Sequence, residues 1–139
     1  MSHLKRAREV FDVELAAVKA VRGRLTATFD KAVALITYAL ADRNKLVVVG
    51  VGKSGNIGRK IAATFTSTGA PAVLLDSVDA LHGDLGILND GDIVLALSYS
   101  GETDELIDLL PAMKRFSVRV IAITSAPKST LGQHADVVL

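Results

Sequence analysis

The chain has 139 residues, 50% of them hydrophobic, and a formal net charge of +1 from 16 Lys+Arg against 15 Asp+Glu. That is enough chain to bury one sizeable core and argues against disorder, while the near balance of charge provides no broad field for nucleic acid or an anionic membrane. The absence of cysteine excludes disulfides, thiolate metal sites and a cysteine nucleophile together.

The N-terminal residues Met1-Ser2-His3-Leu4-Lys5-Arg6 lead into a charged segment without an apolar signal core, and no apolar run approaches membrane-spanning length, so a cytoplasmic setting is expected. Leu4, Ala7, Phe11, Leu15 and Val18 recur at helical spacing, and Leu25, Phe29, Val33, Ile36 and Leu40 do so again after Gly23. The spacing predicts helices over roughly 3–21 and 25–42. Residues 1–44 thus read as a helical pair that packs on the remaining domain, 45–139, or on a partner subunit. Apolar runs at 46–49, 72–75, 93–97, 118–123 and 137–139 predict strands buried on both faces.

Helical patterns lie between these runs: Ile57, Ile61 and Phe65 in one, Leu106, Leu109, Leu110 and Met113 in another, and a short piece around 129–134. Pro111 removes a backbone bond inside its helix and is expected to kink or restart it. Residues 78–91 form a long connection with only a short helix at 78–81, and such connections are often functional. Alternating strands and helices imply a parallel α/β sheet. Ending on Val137-Val138-Leu139, a strand signal instead of a solvated tail, the chain is expected to be cut from something longer.

Two loops carry the chemistry, and each joins a strand to a helix. The first, Gly50-Val51-Gly52-Lys53-Ser54-Gly55, matches the glycine spacing of a dinucleotide fingerprint, and Asp76 follows at the end of the next strand. A nucleotide-triphosphate loop is set aside, because Val47 stands where that motif needs glycine. The second is Ser98-Tyr99-Ser100-Gly101-Glu102-Thr103. In an open doubly wound sheet of order 2-1-3-4-5, the first and third strands flank the switch point where ligands bind, so both loops face one crevice. Backbone N–H groups at a helix start, joined by the hydroxyls of Ser54, Ser98, Ser100 and Thr103, suit a phosphate. Two plainer readings stay open: glycines that serve strand–helix packing, and hydroxyls that serve as helix caps.

Val49-Gly50-Val51-Gly52-Lys53-Ser54-Gly55, then Ile57-Gly58-Arg59-Lys60-Ile61-Ala62-Ala63-Thr64-Phe65, Ser67-Thr68-Gly69, His82-Gly83-Asp84-Leu85-Gly86 and the serine loop occur in one order from about residue 45 onward. This series resembles the sugar isomerase (SIS) domain of the arabinose-5-phosphate isomerase family. The resemblance implies a three-layer, doubly wound, five-stranded parallel sheet. It also implies interconversion of D-arabinose 5-phosphate and D-ribulose 5-phosphate, a step toward the acidic sugar of lipopolysaccharide. Matched position by position, Ser54, Ser98, Ser100 and Thr103 become phosphate ligands, and Lys53, His82 and Glu102 become candidates for catalysis, with no cofactor and no metal. A homodimer or homotetramer with sites near subunit interfaces is expected.

Isomerisation through an enediol needs a base to move a proton between neighbouring carbons and an acid or cation at the oxygens. Carboxylate, imidazole and ammonium supply these. Duller roles are a dipole-stabilising carboxylate for Glu102, a counter-ion for Lys53 and a turn residue for His82. The chain departs from the family pattern at Asn56, at Tyr99 and at Asp76-Ser77-Val78-Asp79, where relatives usually carry His, Asn and His-Pro-Gly/Ala-Glu. Relatives continue with a Glu-x-Cys-Pro segment, a Ser-His-Pro-Gly-Gly segment and commonly paired CBS regulatory domains. A noncatalytic sugar-phosphate-binding regulatory domain, or a dinucleotide-binding domain using Asp76 on a ribose, is the alternative.

Overall fold

Helix α1 (His3–Arg24) runs straight through Gly23 and stops where Leu25 turns extended, with the Leu25 N–H bonded to the Arg22 carbonyl at 3.3 Å. A single glycine costs a helix only about 1 kcal/mol, and Arg22 and Arg24 in the last turn favour the negative end of the dipole. The helix is therefore longer than its periodicity predicts. Helix α2 (Ala27–Ala41) begins at Thr26, whose Oγ1 accepts the Thr28 N–H. The computed structural model describes residues 2–81 and 83–139, the side chains of Val78, Leu81 and Asp84 excepted.

Five strands follow: β1 (Leu46–Gly50), β2 (Ala72–Leu75), β3 (Ile93–Leu97), β4 (Arg119–Ile123) and β5 (Val137–Val138), all parallel and ordered β2-β1-β3-β4-β5. Helix α3 (Lys53–Ser67) carries the chain from β1 to β2. A short α4 (Ser77–Leu81) and a 3-10 turn (Asp84–Ile87), the latter not foreseen, lead on to β3. Helices α5 (Asp104–Ile107) and α6 (Leu110–Met113) connect β3 to β4, and α7 (Thr130–His134) precedes β5. Pro111 falls at the start of α6, where its missing N–H has no helical acceptor to lose, so it restarts the helix instead of bending it.

Alternation along the strands builds the three layers. Leu46 and Val48 of β1, Ile93 and Leu95 of β3 and Ile121 of β4 face a core with Ala32 and Ala39 of α2 and Ala62 of α3. Val47 and Val49, Val94 and Ala96, and Val120 and Ala122 face a second core with Leu106, Leu109, Leu110, Met113 and Leu131. Burial on both faces holds for β1 and β3. It does not hold for β2, whose first three residues are half-buried, because β2 is an edge strand; Arg119 and Ile123 at the two ends of β4 are likewise exposed. Gly58 lets α3 lie close to the sheet: a Cβ there would stand 3.0 Å from Val48 Cγ1 and 3.1 Å from Leu74 Cδ1. Helix α1 buries none of its residues. Among the described residues no helix is long and apolar enough to cross a membrane.

At the opposite end of the sheet from the two loops, Asp92 ties β1 to β3. Its carboxylate, in a residue only 1% exposed, accepts the Lys45 ammonium at 2.6 Å, the Lys45 N–H at 3.0 Å and the Asn89 N–H at 2.8 Å. Deleting one partner of a buried pair strands the other charge. Asp92→Ala is expected to lower unfolding free energy by about 3 kcal/mol, measured by urea titration, with Asp92→Asn losing less because it keeps an acceptor for the N–H groups.

Candidate functional site

Direct pairing of β1 with β3, in register Gly50↔Leu97, sets the two loops side by side at the C-terminal rim of the sheet. After β1 the chain turns through Gly52, at φ +55° with open space around a would-be Cβ, so backbone conformation alone demands glycine there. Gly50 and Gly55 are needed for closeness. A Cβ on Gly55 would sit 2.8 Å from the Gly50 carbonyl oxygen, and one on Gly50 would sit 2.9 Å from the Ser54 carbonyl carbon. The end of β1 and the first turn of α3 thus touch backbone to backbone, which points the helix N-terminus at the rim. Lys53 is exposed and Ser54 half-buried at that turn.

The serine loop is organised by its own hydroxyls. Ser98 Oγ, in a residue 3% exposed, accepts the Gly101 N–H at 3.0 Å and shares a 2.8 Å hydrogen bond with Thr103 Oγ1. Either hydroxyl of that pair can donate; whichever does, the other keeps its proton for a ligand. Ser100 Oγ accepts the Glu102 N–H at 3.2 Å and is exposed. Gly101, at φ +68°, is pressed against Ser129, and a Cβ there would collide with the Ser129 hydroxyl. The packing role foreseen for the glycines is thus filled, whereas neither α3 nor α5 receives a side-chain bond at its N-cap: the serine-loop hydroxyls bond within the loop, with Thr103 half-buried and Ser100 exposed.

Glu102 stands before α5, whose first turn carries Asp104 and Glu105. Its carboxylate reaches forward to α7 and accepts the Thr130 N–H at 2.7 Å. The bonds from the Thr130 backbone and side chain hold its pKa below the ordinary 4.5, against a smaller opposing effect of burial. Glu102 is therefore ionised at neutral pH and serves as a cap on a helix 28 residues away. His82 lies outside the described residues.

A cleft of about 210 Å³ opens between the loops. Ser54 and Ile57 of α3 form one wall, and Ser98 and Tyr99 of the serine loop form the other. Sequence reasoning missed a third contributor, the segment after β4: Ile123, Thr124 and Ser125 line the cleft, and the Thr124 and Ser125 hydroxyls donate to the Tyr99 carbonyl at 3.1 and 2.7 Å. The signal was present, since β4 is the neighbour of β3 and is followed by two hydroxyl residues. Hydroxyls thus stand over an apolar lining that includes Leu97, Ile57 and Ile123. Ser54 and Ser98 meet in this cleft, while Lys53, Ser100, Glu102 and Thr103 do not line it.

A larger recess, about 540 Å³, lies beyond the end of β2 and is lined by Arg59, Asp76 and Asp79 together with Gly83, Gly86 and Ile87. Among the described residues no three His, Cys, Asp or Glu side chains are grouped as a metal would require.

Known proteins with similar sequences include arabinose 5-phosphate isomerases. A Haemophilus influenzae protein named "Probable arabinose 5-phosphate isomerase" is 47% identical over 139 residues, which is 100% of this chain and 40% of that protein. Arabinose 5-phosphate isomerase KdsD of Francisella tularensis is 39% identical over 138 residues, 99% of this chain and 42% of that protein. The chain thus spans about two-fifths of the length of these relatives. Among solved structures, Escherichia coli CFT073 c3406 in complex with arabinose 5-phosphate superposes with a TM-score of 0.81 at 34% identity, covering 99% of this chain and 73% of that one. The SIS domain model matches residues 39–139, from the end of α2 through β5 and including both rim loops, and the chain belongs to the SIS domain family.

Proposed function

We propose that this chain is the sugar-phosphate-binding domain of an aldose–ketose isomerase acting on D-arabinose 5-phosphate and D-ribulose 5-phosphate, in the supply of the acidic sugar of lipopolysaccharide. The observation that carries the reading is the meeting of Ser54 and Ser98, from non-consecutive connections, in one cleft at the end of two paired strands. The relatives' names supply the substrate.

In this reading the phosphate is held between the N-terminus of α3 and the serine loop, with hydroxyl protons from Ser54, Ser100 and the Ser98–Thr103 pair. Binding at the phosphate orients carbons 1 and 2, so that remote affinity assists the chemical step. A base removes the proton from C2 of the open-chain aldose; its electron pair forms the C1–C2 double bond while the C1 carbonyl pair moves to O1 and takes a proton, giving the enediol; the C2 hydroxyl then gives up its proton to become the carbonyl as the double-bond pair takes a proton at C1. Glu102, ionised, is assigned to the proton, the Lys53 ammonium to the oxygens, and His82 to proton exchange between them. One observation favours a binding-only domain as the second reading: the Glu102 carboxylate is already engaged by Thr130.

We also assign α1 to a homodimer or homotetramer. Leu4, Phe11, Leu15 and Val18 are exposed along a helix that buries nothing within the subunit. An apolar stripe of this length is stabilised by a matching helix.

Three measurements test these assignments. Calorimetric titration is expected to show binding of arabinose 5-phosphate but not NAD, with Ser100→Ala weakening it about tenfold, the effect of one hydrogen bond to a charged group; equal binding of NAD would remove the reading. Because the Glu102 pKa is lowered, its base form persists as pH falls past 4.5, and the acid limb of kcat/KM is expected below that value. Thr130→Pro keeps the start of α7 but deletes the N–H and hydroxyl donors, so the limb should move upward; a stationary limb would exclude Glu102 as the base. Finally, Phe11→Glu with Val18→Glu is expected to reduce the mass in sedimentation equilibrium to that of one subunit.

A further inference from the structure

Three donors converge on one carbonyl oxygen beside the cleft. The Tyr99 oxygen accepts the Ser125 hydroxyl at 2.7 Å, the Thr124 hydroxyl at 3.1 Å and the Ser125 N–H at 3.1 Å. A backbone carbonyl has two lone pairs, so this one is fully engaged. Thr124 is itself held in place: its Oγ1 accepts the Ala126 N–H at 3.1 Å, and its N–H donates to the Leu139 carbonyl at 3.2 Å. The segment after β4 thus presents its donors from a fixed position.

Side-chain packing does not account for this concentration of bonds. Tyr99 is 83% exposed and Ser100 is exposed as well, so neither core fixes the peptide between them. The hydrogen bonds do. A peptide unit is planar, and none among the described residues is cis, so the N–H points opposite to the C=O. With the Tyr99 carbonyl directed at the segment after β4, the Ser100 N–H is directed to the other side of β3, where β1 lies and where Ser54 stands in the cleft wall. Among the described residues no acceptor meets that N–H.

We propose that Ser125, assisted by Thr124, is a positioning residue for the phosphate: by holding the Tyr99 carbonyl it presents the Ser100 N–H to the anion. The proposal rests on the sugar-phosphate reading above and deepens it. Turned the other way, the same peptide would set a carbonyl oxygen against a dianion, so its orientation decides whether the contact attracts or repels. An amide that donates to a charged oxygen makes one of the stronger protein hydrogen bonds, and a donor fixed before the ligand arrives lowers the ordering cost of binding. Ser125 is the better of the two to remove, since the Thr124 hydroxyl also serves Ala126.

The Ser100 amide itself reports on this role. In amide-resolved NMR spectra of the full chain titrated with arabinose 5-phosphate, the Ser54 and Ser100 amide protons are expected to move, Ser100 downfield as it donates to the phosphate. Ser125→Ala is expected to weaken binding about fivefold, the effect of one lost hydrogen bond, and to shrink the Ser100 displacement at saturation while the Ser54 displacement is kept. Ser125→Thr, which keeps the hydroxyl, is expected to restore both affinity and displacement. A hydroxyl with a merely structural role would lower stability and leave the Ser100 displacement at saturation unchanged, and that result overturns the proposal. So does a Ser100 amide that stays in place in the native protein while Ser54 moves. Arabinose 5-phosphate that moves neither amide overturns the sugar-phosphate reading itself, and the positioning role with it.

Discussion

The rim of this molecule depends on the hydrogen-bonded pairing of two strands that are not consecutive in the chain, β1 and β3. Because β2 is placed outside β1, α3 leaves on the face that it shares with α2, through Ile61, Ala62 and Phe65, while α5 and α6 leave β3 on the opposite face, through Leu106, Leu109, Leu110 and Met113. Right-handed crossovers on both sides of a reversal in strand order force this divergence. Helices departing to opposite faces cannot close over the strand ends between them, and the cleft is the space so left. Asp92 at the far end of the same strand pair holds the register from which it follows.

Within that space, the loops spend most of their polar groups on themselves. Ser98 satisfies the Gly101 N–H and Thr103, Thr124 and Ser125 satisfy the Tyr99 carbonyl, and Glu102 satisfies Thr130. Such bonding fixes side chains before any ligand arrives, which reduces the ordering cost of binding. It also sets a conflict at Glu102. The donors that keep its carboxylate ionised lower its proton affinity, and a weaker base is a less effective one. A ligand that drew Glu102 away from Thr130 would restore basicity while uncapping α7, so the two functions of this residue oppose each other.

The strands and the loop glycines were legible because their causes are local: continuous apolar runs for buried parallel strands, and small residues where a strand meets a helix. Pro111 was legible for the same reason. Gly23 misled about the end of α1, since one weak propensity term yields to the residues around it. Uniform burial failed at β2, because an edge strand is defined by its neighbours and not by its own apolar residues. The Glu102 bond to Thr130 and the entry of Thr124 and Ser125 into the cleft join segments far apart in the chain. No window of sequence contains such contacts; only the strand order brings them within reach.

Helix α1 answers to a different constraint. Neither core contains any of its 22 residues, so the geometry of the rim does not require it. In proteins most helical stability comes from packing of an amphipathic face, and each large apolar side chain left exposed forgoes roughly 1.5–3 kcal/mol that burial would contribute. Four such chains, Leu4, Phe11, Leu15 and Val18, together outweigh the helix's own propensity. Their helical spacing has no use inside the subunit, yet it is the spacing that a facing helix would fill. On the oligomer proposed above, α1 supplies association while the sheet domain supplies the ligand site.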